Sequence, residues 1–416
     1  MKIIGVLARE IYDSRGLPTV QCQLVIENGI SVCSSVPSGL STGSFEAREL
    51  RDGGDRLFGK GVLDAIQNIE EIIGPKIIGT KVDAVEIDKL IIELDGTSNK
   101  YNLGANAMLA VSMSAYRAQA FCEHVELYQF LYHLLGNPTI KLPQPFFTII
   151  NGSQRINNQL YIQEFMILPV GIVNFRSALE SGVTFFHELK HYLIAKGKPI
   201  SVDDEGAFSA AFSSDDEALD VLHEIMSVVY QKYGYSYVVG LDIGASDYYD
   251  DFKNLYNFQG NFVTASQMID YYERLLTKYP IYSIEDGLSE IDYSGWATMT
   301  ARLKSNIQII GDKIFSTNIY RIAQGIGESL ATSVIIKPNE AGTITETLQA
   351  MQLCKDMNIN SIISHCSGET EDTFIADLAV GAGSDQIKFG SLCRGERVCK
   401  YNRLLYIEDK LSLGDL

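Results

Sequence analysis

VVGLD (238–242), IYSIE (281–285), IQIIGD (307–312), SVIIK (333–337), SIISH (361–365) and QIK (386–388) form a ladder of short apolar runs, each closed by a residue able to hold a metal ion or move a proton. The closing residues are Asp242, Glu285, Asp312, Lys337, His365 and Lys388, separated by 43, 27, 25, 28 and 23 residues. Each gap has room for a loop, a helix and a return, the rhythm of successive β-α units. Runs of Val and Ile this apolar suit a parallel sheet buried on both faces. A β/α barrel places its chemistry at the carboxyl ends of such strands, so the ladder predicts six reactive side chains at one mouth.

Upstream of the ladder the pattern changes. QPFFTIIN (144–151) and IQEFMILP (162–169) lie only ten residues apart, close enough for a hairpin rather than a crossover helix. The barrel is therefore expected to begin with an antiparallel pair and to be irregular. Helical periodicity over 173–195 and 214–233 flanks PISVDDEG (199–206), which reads as a further strand. Residues 1–135 read as an α+β domain, strand-like over 18–35 and helical over 62–94 and 104–135. Its segment PSGLSTGS (37–44) suits a mobile lid or an ordinary turn equally. GNPTIKLPQP (136–145) holds three of the ten prolines and reads as the linker, which gives the barrel domain residues 136–416. The expected fold is an irregular, TIM-type β/α barrel carrying an N-terminal α+β domain.

Composition narrows the function. At 416 residues two domains are expected. A net charge of −18 argues against nucleic acid or an anionic membrane as partner. A small anionic substrate would need locally concentrated cations. The seven cysteines are scattered without a CxxC pair, which points to neither a disulfide framework nor a zinc knuckle and fits a reducing cytoplasm. The apolar stretch Ile3 to Ala8 is too short for a secretory leader, and no run approaches membrane-spanning length.

Three carboxylates ending buried strands at one mouth repel one another unless a cation sits between them. Asp242, Glu285 and Asp312 therefore suggest magnesium, a hard ion that takes oxygen ligands. The alternative makes each acid the N-cap of the next helix. Lys337 and Lys388 could act as a general base or simply neutralise the acids. Glu164 and Glu205 are expected across the mouth from these lysines, an arrangement that removes a proton from one carbon and protonates a hydroxyl leaving the next. His124, His133, His187, His191 and His223 fall on helical segments and carry no assigned role.

Taken in order, the motifs resemble the enolase family. They include DSRGLPT (13–19), PSGLSTGSFEARELRDG (37–53), LDGTSNKYNLGANAMLAVS (94–112), QEFMILP (163–169), DEG (204–206), SIEDG (283–287), GTITET (342–347), SHCSGETEDTFIADLAV (364–380) and RGERVCKYNRLL (394–405). The resemblance implies dehydration of 2-phosphoglycerate to phosphoenolpyruvate with two magnesium ions. It makes Asp242, Glu285 and Asp312 ligands of the first ion and Ser41, in the loop, a ligand of the second. Lys337 would be the base at C2, Glu205 the acid at the C3 hydroxyl and Glu164 its partner. Gln163, His365, Ser367 and Lys388 would line the substrate site. A homodimer or octamer is implied, with Arg15 and Glu396 at the interface.

Several departures from the family pattern cluster around this site. Arg155 stands where members carry a histidine, and Cys366 where they carry an arginine that grips the substrate phosphate. Asp203 and Ala207 replace glycines flanking Asp204-Glu205-Gly206, Lys313 replaces the second acid of an Asp-Asp pair, and Glu340 replaces a glutamine. Losing one charge-assisted hydrogen bond to phosphate costs about 1.5–3 kcal/mol, on the order of ten- to a hundred-fold, unless Arg155 restores it from the opposite loop. Lys313, next to an inward Asp312, is expected to point away from the metal. The competing readings are an enolase, a paralogue doing the same chemistry on another substrate, such as a carboxyphosphonoenolpyruvate synthase-like enzyme acting on a phosphonate, and a non-catalytic binding protein.

Overall fold

The first three strands, β1 (Ile3–Tyr12), β2 (Pro18–Ile26) and β3 (Ser31–Ser35), form an antiparallel meander. The computed structural model describes residues 1–39, 45–137, 139–152 and 159–414. On β2 the residues Val20, Cys22, Leu24 and Ile26 alternate inward and are buried, the period-2 pattern of a half-covered sheet. They pack against the helix Ala105–Cys122, where small residues allow close approach and Ser114 donates to the Cys22 carbonyl at 3.0 Å. The helical reading of 62–94 is interrupted: helical turns run from Leu63 to Ile77, Ile78 turns extended, and the helix Ala84–Asp95 restarts under an Asp83 cap. His124 lies in a turn at φ +59 rather than on a helix.

The barrel closes from eight strands: β4 (Gln144–Asn151), β5 (Glu164–Val170), β6 (Ser236–Asp242), and, beyond the small sheet of β7 (Tyr249–Asp250), β8 (Leu255–Phe258) and β9 (Asn261–Val263), the ladder strands β10 (Ile281–Glu285), β11 (Gln308–Gly311), β12 (Ser333–Ile336), β13 (Asn360–Ser364) and β14 (Gln386–Lys388). β5 runs antiparallel to both β4 and β6, and every other pairing in the barrel is parallel. The β7–β9 sheet accounts for the long first gap of the ladder.

Alternation along the strands explains both the apolar runs and the site. Ile309, Val334, Ile363 and Ile387 belong to the large core, which the outer helices complete. The other set faces the barrel axis in layers. At the base, the Gln308 amide donates to the Ser333 hydroxyl and to Gln386 Oε1. Phe146, Met166, Leu168, Ile310, Ile335 and Ile362 form an apolar plug above them. The next inward positions are Asp242, Asp312, Lys337 and Lys388, so the same period that fills the barrel puts charged groups on top of it.

PISVDDEG is not a strand. Val202 makes one bridge to Phe208, and residues 203–206 form a turn in which the Asp203 carboxylate accepts the backbone N–H groups of Glu205 and Ala207 at 3.0 and 2.8 Å. The turn needs Gly206 at φ +85, where a Cβ would fall 2.7 Å from the Cys393 carbonyl. Among the described residues no helix is long and apolar enough to cross a membrane.

Candidate active site

The ladder residues meet. Lys388 Nζ donates to Asp242 Oδ2 at 2.8 Å and Glu285 Oε1 at 2.9 Å, and lies 3.4 Å from Glu164 Oε1. Glu164 opens β5, but that strand runs against its neighbours, so its first residue sits at the mouth opposite Asp242 in register. Glu164 is therefore beside Lys388, not across the mouth from it as the sequence suggested. Thr148 donates its hydroxyl to Glu164 Oε2 at 2.9 Å.

Lys337 Nζ donates to Asp312 Oδ2 at 2.6 Å and lies 3.4 Å from Glu340 Oε1. Thr317 holds this pair in place: its hydroxyl donates to Glu340 Oε2 at 2.8 Å and accepts the Lys337 backbone N–H at 2.9 Å. Asp312 keeps its second oxygen, Oδ1, buried without a hydrogen-bond partner. Asp286, in the IEDG turn at φ +44, accepts the N–H groups of Asp312 and Lys313 at 3.0 and 3.2 Å. It fixes the strand end carrying Asp312. Lys313 lines the cavity instead of pointing away, because β11 ends at Gly311 and strand alternation no longer applies.

The helix-cap explanation of the acids fails. The helices after β6, β10 and β11 are capped by Thr264, Asp292 and Asn318, whose side chains accept the first-turn N–H groups. The backbone N–H that Asp242 accepts is that of Gly244, at 3.1 Å and outside the first turn of the helix Ala265–Lys278.

Glu205 completes the opposite wall. Ser367 donates to its Oε1 at 3.2 Å, while Oε2 is buried without a hydrogen bond, 3.6 Å from His365 Nε2. Arg397, absent from the sequence reading, holds this wall together. Its guanidinium meets His365 Nδ1 and donates to the carbonyls of Cys366, Ser367 and Asp204, the latter three at 2.7 to 2.9 Å. The RGER motif (394–397) was its only signal. Cys366 Sγ donates to Asn339 Oδ1 at 2.8 Å. Gln163 lines the cavity with its amide against Gly244, where a Cβ would fall 2.3 Å from Gln163 Oε1. Arg15, read as an interface residue, bonds within the chain to Asp13, Ser38 and Gly39, and Glu396 accepts from Arg394 at 2.7 Å. Ser41 and Arg155 lie outside the described residues.

The electrostatics follow from burying many acids together. Burial, then the Asp242 charge, pushes the Glu285 carboxyl well above its ordinary value despite Lys388. Burial and Glu205 raise Glu164 to about 8, and burial also raises Glu205. Against the cost of burial, Asp312 raises Lys337 and Lys337 lowers Asp312. Burial and Arg397 keep His365 neutral. The cavity is lined by the carboxylates of Glu46, Glu164, Glu205, Asp242, Asp312 and Glu340 against Lys313, Lys337 and Lys388. Among the described residues no three such groups already stand in metal-ligand geometry, and the lysine amines lie between the acids. The donor set nonetheless fits a hard cation: all oxygen, more acids than bases, and one orphaned buried oxygen on Asp312.

The N-terminal domain reaches this mouth. Ser38 and Gly368 exchange backbone hydrogen bonds at 2.7 and 2.9 Å, the Ala47 N–H donates to the Glu340 carbonyl at 3.0 Å, and Gly39 and Glu46 join the cavity wall. Fold and site together define a capped β/α-barrel protein with its ionisable groups gathered at one mouth of the barrel. Residues 3–131 match the family model for the enolase N-terminal domain and residues 139–415 that for the enolase C-terminal TIM barrel domain. The chain belongs to the enolase family.

Proposed function

We propose that the chain is an enolase-type carbon–oxygen lyase in which Lys337 removes the proton at C2 of a carboxylate substrate and Glu205 protonates the hydroxyl leaving C3. Dehydration of 2-phosphoglycerate to phosphoenolpyruvate is the reaction that family membership supports. The observation that carries the reading is that Lys337 and Glu205 line one buried cavity together with Asp242, Asp312 and Lys388.

Each side chain has a part that its surroundings suit. Glu205, raised by burial, keeps a proton to higher pH than an exposed carboxyl, and its unpartnered Oε2 is available to a leaving hydroxyl. Glu164, pushed up to about 8, can share that proton load. Lys388 would meet the substrate carboxylate, with Gln163 and Ser367 orienting the remainder and neutral His365 offering a hydrogen bond rather than charge. Magnesium, held by Asp242, Glu285 and Asp312 and at a second position by Ser41, would supply positive charge against the dianion that proton removal builds on the substrate and would draw Asp312 away from Lys337. Arg155 would supply a cation for a small anionic substrate, and closure of residues 37–44 would exclude water. A homodimer or octamer, a cytoplasmic location suited to seven free cysteines, and a domain boundary at 135/136 belong to the same proposal.

The alternative is the same chemistry on another substrate, a phosphonate or other 2-substituted acid; among the described residues Lys337 is flanked by Asp312, Glu340 and Cys366. The test of the shared chemistry is deuterium incorporation at C2 in D2O, with 2-phosphoglycerate and other 3-hydroxy carboxylates. Exchange should require magnesium, stop with EDTA, and vanish in Lys337→Ala while the circular dichroism spectrum is retained. Exchange that survives in Lys337→Ala refutes the assignment of the base.

A further inference from the structure

We infer that Asp203 is the positioning residue of the general acid: its carboxylate holds the turn that presents Glu205 to the hydroxyl leaving C3. The inference rests on the lyase reading above and adds to it the group that aims the acid.

The turn is gripped from two sides. Its four successive carbonyls, from Asp203 to Gly206, accept hydrogen bonds from the Arg394 and Arg397 guanidinium groups, the Ser391 N–H and the Cys393 thiol at 2.9 to 3.2 Å, which ties that side to the segment entering the helix Gly395–Ser412. The N–H side is held by the Asp203 carboxylate. Oδ1 accepts the Glu205 N–H at 3.0 Å and the Ala207 N–H at 2.8 Å, and Oδ2 accepts the side-chain amide of Asn151. Asn151 ends β4 opposite Glu164 in register, so Asp203 joins the turn carrying Glu205 to the strand pair carrying the second acid.

The short side chain of an aspartate reaches N–H groups a few residues further on, and one without an oxygen acceptor cannot. Replacing Asp203 would remove the bond that fixes the Glu205 backbone. Among the described residues the Glu205 side chain is otherwise held by one hydrogen bond, from Ser367 at 3.2 Å, with Oε2 unpartnered. A general acid displaced by about 1 Å loses on the order of a hundredfold in rate. Charge acts in the same direction. Burial pushes the Asp203 carboxyl up to about 6, which leaves it ionised at neutral pH. Burial raises Glu205, Arg397 opposes that rise, and the Asp203 charge adds to it.

A misplaced acid slows the reaction only where bond breaking needs its proton. With 2-phosphoglycerate, Lys337 takes the C2 proton, the electron pair left behind forms the C2–C3 double bond, and the C3–O bond breaks as Glu205 gives its proton to the departing water. With the 3-chloro analogue the same electron pair expels chloride, which leaves as a stable anion without a proton. Phosphoenolpyruvate is the product of both.

Phosphorus NMR of the full chain with saturating magnesium follows phosphoenolpyruvate formation from 2-phosphoglycerate and from its 3-chloro analogue in the parent, Asp203→Ala and Glu205→Gln. In Asp203→Ala the rate with the hydroxyl is expected to fall about tenfold or more and that with the chloride less than about threefold, with Glu205→Gln shifting the ratio the same way. Equal loss with both substrates in Asp203→Ala, or loss with neither, overturns the inference and leaves the lyase reading standing. No product from either substrate in the folded, magnesium-binding parent, or equal loss with both in Glu205→Gln, overturns the lyase reading and the inference with it. If the parent leaves the chloride untouched, kcat and KM for 2-phosphoglycerate decide: a tenfold fall in kcat at constant KM in Asp203→Ala supports the inference, and an unchanged kcat overturns it. If Asp203→Ala does not fold, Asn151→Ala, which removes the donor to Oδ2, is read in the same way.

Discussion

Lys388 answers three carboxylates with one ammonium, Asp242 and Glu285 by hydrogen bonds of 2.8 and 2.9 Å and Glu164 at 3.4 Å. All four groups are almost inaccessible to water, so the lysine is worth far more than a surface ion pair. Replacing it leaves buried acids that must either protonate or find another cation. Lys388→Met is therefore expected to lower stability by about 3–5 kcal/mol in urea unfolding without divalent ions, and magnesium should restore part of the loss. Equal stability of variant and parent would show that the acids do not depend on this ammonium. Lys337 and Asp312 make the second such centre, and its unpaired Asp312 Oδ1 marks where an incoming cation would find a ready ligand.

At the scale of strands and loops, the turn at 203–207 sets Glu205 against Ser367 and the Arg397-braced wall. A side chain at Gly206 would face both a positive φ and the Cys393 carbonyl 2.7 Å away. Gly206→Ala is expected to cost about 1–3 kcal/mol and to slow C2 exchange about tenfold or more by displacing Glu205, measured by denaturant unfolding and NMR. Loss of stability with normal exchange would remove Glu205 from the chemistry. The ladder strands were legible because both faces are buried and each run ends at an ionisable residue that lines the mouth. The antiparallel start was legible from the ten-residue spacing. PISVDDEG misled because its Ile and Val resemble a strand, while the side chain of Asp203 satisfies the backbone as a turn. Glu164 stands beside Lys388 because the barrel closes β14 onto β4, the partner of β5, and the antiparallel β5 brings its first residue to the mouth, a closure that spacing along the chain does not show.

Across the whole molecule, the site depends on contacts between segments far apart in sequence. Arg117 and Asp372 pair at 2.7 Å, Tyr116 meets the Thr345 hydroxyl at 2.9 Å, and Asp88 accepts from Ser112 and the Thr345 N–H, tying the N-terminal domain to the barrel. Arg397 reaches His365 and its loop from over thirty residues away, and Asp286 supports the neighbouring strand end. Such residues had no periodicity to reveal them, only motifs without an evident partner. The proposed divalent-cation site takes Asp242, Glu285 and Asp312 from three adjacent strands of the barrel. Calorimetric titration of magnesium into the parent and Glu285→Gln proteins tests it most directly: saturable binding in the parent, weakened about tenfold or more in the folded variant, is the expected result. No saturable binding in the parent, or equal affinity in the variant, would contradict the account.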